Sequence, residues 1–175
     1  NFNVVYTGNM SVAHDINSMF EFFLDCKVNK GLLYNFNLNI FVTFDKKHKK
    51  NIVHTENNFQ VKYWDMVPDY NLPYIYSLVK FGLITLNNKL VTENIPGKFV
   101  SYTQFGLVII CFTNSNSAMA KLVKKYNCGI VIDLNKKRET NVKKLNKFLI
   151  KSYEDINLYS KNSKTLFEEN FDIKI

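Results

Sequence analysis

A chain of 175 residues is long enough for one domain with a sizeable core and too short for two ordinary ones. A hydrophobic share of 46% with 15% aromatic residues excludes a disordered polymer, and three widely spaced cysteines with no C-x-x-C pair exclude a disulfide framework. The net charge of +8 is almost all lysine, with Arg138 the single arginine, which argues against nucleic acid as a partner because base reading favours the guanidinium fork.

Phe2 to Tyr6 is a short apolar run ending at Gly8 and predicts a first strand. Between Asp15 and Lys30, Ile16, Met19, Phe20, Phe23 and Leu24 fall on one helical face, with Asp15 as cap and Gly31 as stop. Leu38 to Phe44 reads as a second strand. The basic run Lys46 to Lys50 follows as a solvated loop or helix start, and Phe59 to Trp64 alternates as a third strand. Pro68 and Pro73 bracket the entry to a helix carrying Ile75, Leu78 and Val79 on its apolar face. Gly82 to Leu86, Leu107 to Phe112 and Gly129 to Asp133 complete six strands, with a helix over Ala118 to Tyr126 between the last two. From Thr140 to about Asn170, two more helices close a single domain over residues 1–175. Short strands, apolar on both faces and alternating with helices, predict a doubly wound, mostly parallel, six-stranded Rossmann-like α/β sheet.

Two strand-to-helix turns carry the chemistry. In Asn94-Ile95-Pro96-Gly97-Lys98, proline and glycine deliver a lysine to a helix start, where free N–H groups point outward. A cation there opposes the helix dipole unless an anion joins it, so the arrangement suits phosphate oxygens. The other turn is Thr7-Gly8-Asn9-Met10, directly after the first strand. By itself that single glycine is an ordinary turn; beside Lys98 it reads as part of a phosphate site. Cys111 lies within an apolar strand and Cys128 just before another, consistent with buried thiols in a reducing cytosol. No His, Cys, Asp or Glu cluster has metal-ligand spacing, so no metal and no cofactor is expected.

In this order and spacing, Val5-Tyr6-Thr7-Gly8-Asn9-Met10, Val67-Pro68 with Leu72-Pro73, Phe81-Gly82-Leu83-Ile84, Asn94 to Lys98 with Tyr102 and Gly106, Cys128-Gly129-Ile130-Val131 and the closing Phe167-Glu168-Glu169-Asn170-Phe171 form a pattern. The chain resembles the C-terminal, donor-binding domain of bacterial GT-B glycosyltransferases, of the family-4 type encoded with capsule and O-antigen synthesis. The resemblance implies retaining hexosyl transfer from a nucleotide diphosphate sugar to a polysaccharide or lipid-linked acceptor. The acceptor would be held by an N-terminal domain absent from this chain, and the fragment alone is expected to transfer nothing.

The same resemblance assigns residues. Lys98 and Glu93 stand at the catalytic positions, the lysine at the leaving diphosphate and the carboxylate near the sugar. Ser101 occupies the place of a second Glu that accepts from the ribose. Gly8, Asn9 and Met10, with Pro96, Gly97 and Tyr102, stand at donor-binding positions; Asn9 replaces the family's diphosphate-holding arginine, and His14 falls near its lysine. Trp64, Asp65 and Met66 fall where the nucleobase slot forms, although Trp64 reads equally as a core anchor. Glu93 reads equally as a plain loop carboxylate, and His14 as a cap or surface residue. The loss of the second Glu leaves an alternative of another class: a non-catalytic nucleotide-sugar-binding or regulatory module derived from such an enzyme. A cytoplasmic location is expected, with peripheral contact at an anionic membrane through the lysine run. The chain opens within its first strand and without Met, so a longer parent is expected as well.

Overall fold

Strands apolar on both faces must be covered on both faces, and this requirement organises the molecule. The computed structural model describes residues 2–8, 16–28, 36–42, 55–56, 59–87, 89 and 93–172. One sheet contains β1 (Phe2–Thr7), β2 (Phe36–Val42), β3 (Thr55–Glu56), β4 (Phe59–Asp65), β5 (Phe81–Thr85), β6 (Val108–Phe112) and β7 (Gly129–Ile132). Its order is β3-β4-β2-β1-β5-β6-β7, with every pair parallel except β3–β4. The six parallel strands and the Rossmann-like architecture agree with the sequence. The antiparallel β3 is an addition, and two residues are too few to leave a periodic signal.

Successive side chains point to opposite faces, so neighbours in sequence enter different cores. In β1, Val4 and Tyr6 join one cluster and Val5 the other; in β6, Val108, Ile110 and Phe112 part from Ile109 and Cys111 in the same way. The first face is covered by α1 (Ile16–Val28) and α5 (Arg138–Glu154), through Met19, Phe22, Phe23, Leu145 and Leu149. The second is covered by α2 (Leu72–Ser77), α3 (Gly97–Gln104) and α4 (Ala118–Tyr126), through Tyr76, Phe99, Tyr102, Met119 and Val123. The closing helix α6 (Ile156–Asn170) serves both, with Tyr159 in one core and Leu166 in the other. Phe22 and Phe23 both meet Phe112 edge-on, at 5.4 and 5.6 Å between centroids. Burying each such ring is worth about 1.5–3 kcal/mol.

Helix ends follow local chemistry. Ser117 caps α4 by accepting from the Ala120 N–H at 3.2 Å, and Asn127 ends it in the left-handed conformation at φ 48°. One sequence expectation fails at α2. The helix stops at Ser77, and Leu78, expected on its apolar face, is 59% exposed while Val79 turns inward. With Pro73 in its first turn, α2 is too short to bring position 78 back to the core. Cys111 and Cys128 are buried free thiols, and burial pushes the Cys128 thiol up to about 12. The expected cap at Asp15, the stop at Gly31 and the Lys46 to Lys50 run lie outside the described residues.

Candidate functional site

The strand order reverses between β1 and β5: β1 leads outward to β2 and β4, and β5 outward to β6 and β7. In open α/β sheets the crevice at such a switch point, beyond the carboxyl ends of the strands, receives ligands. Here that crevice lies between the end of β1 and the start of α3.

β1 ends at Thr7, and Gly8 turns the chain at φ 103°, a conformation that a side chain would strain. The Gly8 N–H is tied to Phe41 O of β2 at 3.1 Å. On the other side Pro96 is the N-cap of α3, and no side chain caps the helix. Lys98 in the first turn folds back into the crevice. Its Nζ lies 3.9 Å from the centroid of the Tyr6 ring and 3.6 Å from where a Cβ on Gly8 would stand. That nitrogen is buried without any hydrogen-bond partner. Desolvation of a cation with only a ring face for company is unfavourable, and it lowers the Lys98 pKa to about 7. The sequence places Lys98 at a helix start; the structure adds that it points inward.

A network behind the turn holds this geometry. The Tyr102 hydroxyl accepts from the Thr7 N–H at 2.9 Å, and Thr7 Oγ1 lies 3.0 Å from the Tyr76 hydroxyl and 3.2 Å from that of Tyr102. Gly82 makes room for Tyr102, because a Cβ there would overlap its ring, with the ring Cγ at 2.8 Å. Burial pushes the Tyr6, Tyr76 and Tyr102 phenols upward, so all three remain neutral.

The remaining candidates spread along the same edge of the sheet. Pro96 and Gly97 adjoin Lys98, Ser101 follows one turn later and is half-buried, and Glu93 is exposed ahead of the helix. Tyr102 is fully buried, with its hydroxyl engaged by Thr7, so its influence on a ligand runs through the turn it fixes. Trp64, Asp65 and Met66 sit at the end of β4, two strands from β1. Trp64 is 47% exposed, stacks on Phe41 at 6.0 Å and 14°, and donates Nε1–H to Asn39 Oδ1 at 3.2 Å. Phe41 thus joins the two ends of the site, its carbonyl holding Gly8 and its ring carrying Trp64. Asn9, Met10 and His14 lie outside the described residues. The sequence does not mark Tyr6, Thr7 or Tyr76 as site residues. Tyr6 and Thr7 immediately precede the Gly8 turn, which was the available signal; Tyr76 had none. Among the described residues, no group of three His, Cys, Asp or Glu could hold a metal ion.

No protein-family model matches the sequence, and no curated protein does either. Solved structures do match. The catalytic domain of cholesterol-α-glucosyltransferase from Helicobacter pylori superposes with a TM-score of 0.64 at 10% identity, over 97% of this chain and 99% of that one. The fold is the Rossmann-like α/β fold found in these GT-B glycosyltransferase structures. WaaG, a glycosyltransferase involved in lipopolysaccharide biosynthesis, matches with a TM-score of 0.63 at 14% identity, over 97% of this chain and 44% of its own. The pneumococcal O-GlcNAc transferase GtfA, solved with UDP and GlcNAc, gives 0.60 at 13%, over 96% of this chain and 32% of its own. This chain therefore spans less than half the length of those two chains.

Proposed function

We propose that this GT-B domain binds the nucleotide diphosphate sugar of a retaining glycosyltransferase, in a longer protein or complex whose acceptor-binding domain lies elsewhere. The single observation that supports this most is the buried Lys98 ammonium, without a hydrogen-bond partner, beside the Gly8 turn and the uncapped end of α3. An anion in the crevice would supply the partner that Lys98 lacks and accept from the free N–H groups of the helix. In transfer, the same cation and helix end would stabilise the charge that develops on the leaving diphosphate. Glu93, exposed ahead of α3, is assigned to the sugar side, Ser101 to the ribose, and Trp64 with Met66 to the base. No cofactor and no metal enter this reading, since the lysine and the helix end supply the positive charge. The acceptor is proposed to be a cell-surface polysaccharide or lipid-linked chain, reached from the cytoplasmic face with peripheral membrane contact. No helix of the described residues is long and apolar enough to cross a membrane.

Ser101 in place of a carboxylate favours a second reading, a nucleotide-sugar-binding module without catalysis. Both readings predict binding, and calorimetric titration of UDP and uridine tests it. Lys98→Ala should weaken UDP by roughly tenfold to over a hundredfold, from loss of a charge-assisted contact of about 1.5–3 kcal/mol, and leave uridine unchanged. Equal loss for both ligands, or none for either, would remove the diphosphate assignment. Sugar transfer by a longer protein carrying Glu93, abolished by Glu93→Gln, separates the enzyme from the module.

A further inference from the structure

At the β7 edge of the sheet, a groove of about 360 Å³ runs along the open side of that strand, between α4 and α5. Four lysines line it: Lys124 from α4, and Lys144, Lys147 and Lys151 from α5. The spacing of the last three, i, i+3 and i+7, stacks them on one helical stripe. Among the described residues none of the four forms an ion pair with a carboxylate. Asp133, the acidic group that Lys144 senses, is engaged by the Ser115 N–H and hydroxyl and by the Asn135 N–H.

Two of these ammonium groups are anchored. Lys144 Nζ donates to Val131 O of β7 at 2.6 Å, and Lys124 Nζ to Ser115 O at 2.8 Å. Each has three donors and spends one, so each retains two for a ligand. Burial lowers the Lys144 pKa, the nearby charges of Lys136 and Lys124 lower it further, and Asp133 offsets part of this. The cations thus repel one another across a groove already formed, and a small multivalent anion between them would relieve that repulsion.

We propose that this groove is a second anion site, separate from the Lys98 crevice, which takes a ligand bearing one or two phosphate groups. Lysine serves as a point charge for phosphate, and four of them match a dianion or a diphosphate better than a single carboxylate. The site is built wholly from α4, β7 and α5 and stands independently of the donor reading. The phosphate could be carried by a soluble molecule or by the headgroup of an anionic lipid, and the two sources separate experimentally.

The probe is pyrophosphate, followed by NMR on the full chain in a Lys98→Ala background, so that the other crevice does not contribute. Saturable shifts are expected at the amides of Lys124, Gly129, Ile130, Lys144 and Lys147. The variant pair Lys147→Gln with Lys151→Gln removes two exposed lysines that make no internal hydrogen bond, so folding is preserved. It should weaken binding roughly tenfold or more. The control pair Lys121→Gln with Lys161→Gln, equal in charge loss and outside the groove, should stay within twofold. In a second arm, co-sedimentation with phosphatidylglycerol vesicles against pure phosphatidylcholine vesicles is measured for the same proteins. Vesicle binding lost in the groove pair and displaced by pyrophosphate assigns the headgroup source; pyrophosphate binding with no vesicle binding assigns the soluble one. Equal weakening by the control pair would reduce the effect to net charge and overturn the site, as would absence of saturable binding in both arms.

Discussion

The hydroxyl of Tyr102 accepts the backbone N–H of Thr7 at 2.9 Å, joining α3 to the end of β1 across 95 residues of chain. Both ends are buried, so no water replaces the acceptor if it is removed. Tyr102→Phe should therefore destabilise the fold by about 1–3 kcal/mol, the cost of an unsatisfied buried N–H. It should also loosen the Gly8 turn and weaken UDP more than uridine. Urea unfolding with paired titrations checks both, and an unchanged midpoint would show that Thr7 finds another partner.

Lys98 gives a pH signature with a definite sign. Its folded pKa of about 7 lies below the ordinary 10.5, so between these values the unfolded chain binds more protons. The burial penalty is full below pH 7, and stability rises as pH increases through the window. Lys98→Met should stabilise the empty protein by on the order of 2–4 kcal/mol near pH 7, with the difference shrinking towards pH 10.5. A variant no more stable than the parent at pH 7 would mean that the amine is already solvated or paired.

Binding should draw a proton onto the same amine. At pH 8 most Lys98 in the empty site is neutral, and a diphosphate beside it favours the charged form. Calorimetry at pH 8 in buffers of different ionisation enthalpy should report uptake approaching one proton, falling towards zero in Lys98→Met. UDP affinity should decline by up to about tenfold per pH unit above 7. Binding with no buffer dependence would leave the diphosphate site in place but remove Lys98 as its titrating member.

Two glycines should respond to alanine with opposite signs. A Cβ on Gly82 would overlap the buried Tyr102 ring, so Gly82→Ala should destabilise by roughly 1–3 kcal/mol through overpacking. A Cβ on Gly97 meets nothing within 4 Å, in the first turn of α3. Gly97→Ala should therefore be neutral or stabilising by about 0.4–1 kcal/mol, since it restricts the unfolded chain. Thermal melts of the two variants decide the point; loss in both would indicate that α3 cannot shift at all.

Trp64 is the single tryptophan, half exposed and stacked on Phe41, so its emission reports the β4 end of the site alone. Uridine and UDP should change its fluorescence saturably, while pyrophosphate should not. A response to pyrophosphate but not to uridine would move the base away from Trp64.

The sequence reveals the parallel α/β sheet, because short apolar runs between amphipathic helices can be buried in few other ways. It also located the two turns, since Gly8 and Pro96-Gly97 are local signals that need no distant partner. What it could not determine was which way Lys98 points, or that Thr7 bonds to both Tyr102 and Tyr76. Those relations join residues 69 and 95 positions apart, brought together by β1 and β5 pairing at the centre of the sheet. Leu78 illustrates the same limit: its apolar character fits a helix face, but only the end of α2 at Ser77 decides that it faces water. The lysine groove on β7 follows suit, for Lys124 and Lys144 become neighbours only once α4 and α5 pack beside an edge strand. Local chemistry sets which elements form, and the pairing of distant strands sets which side chains meet.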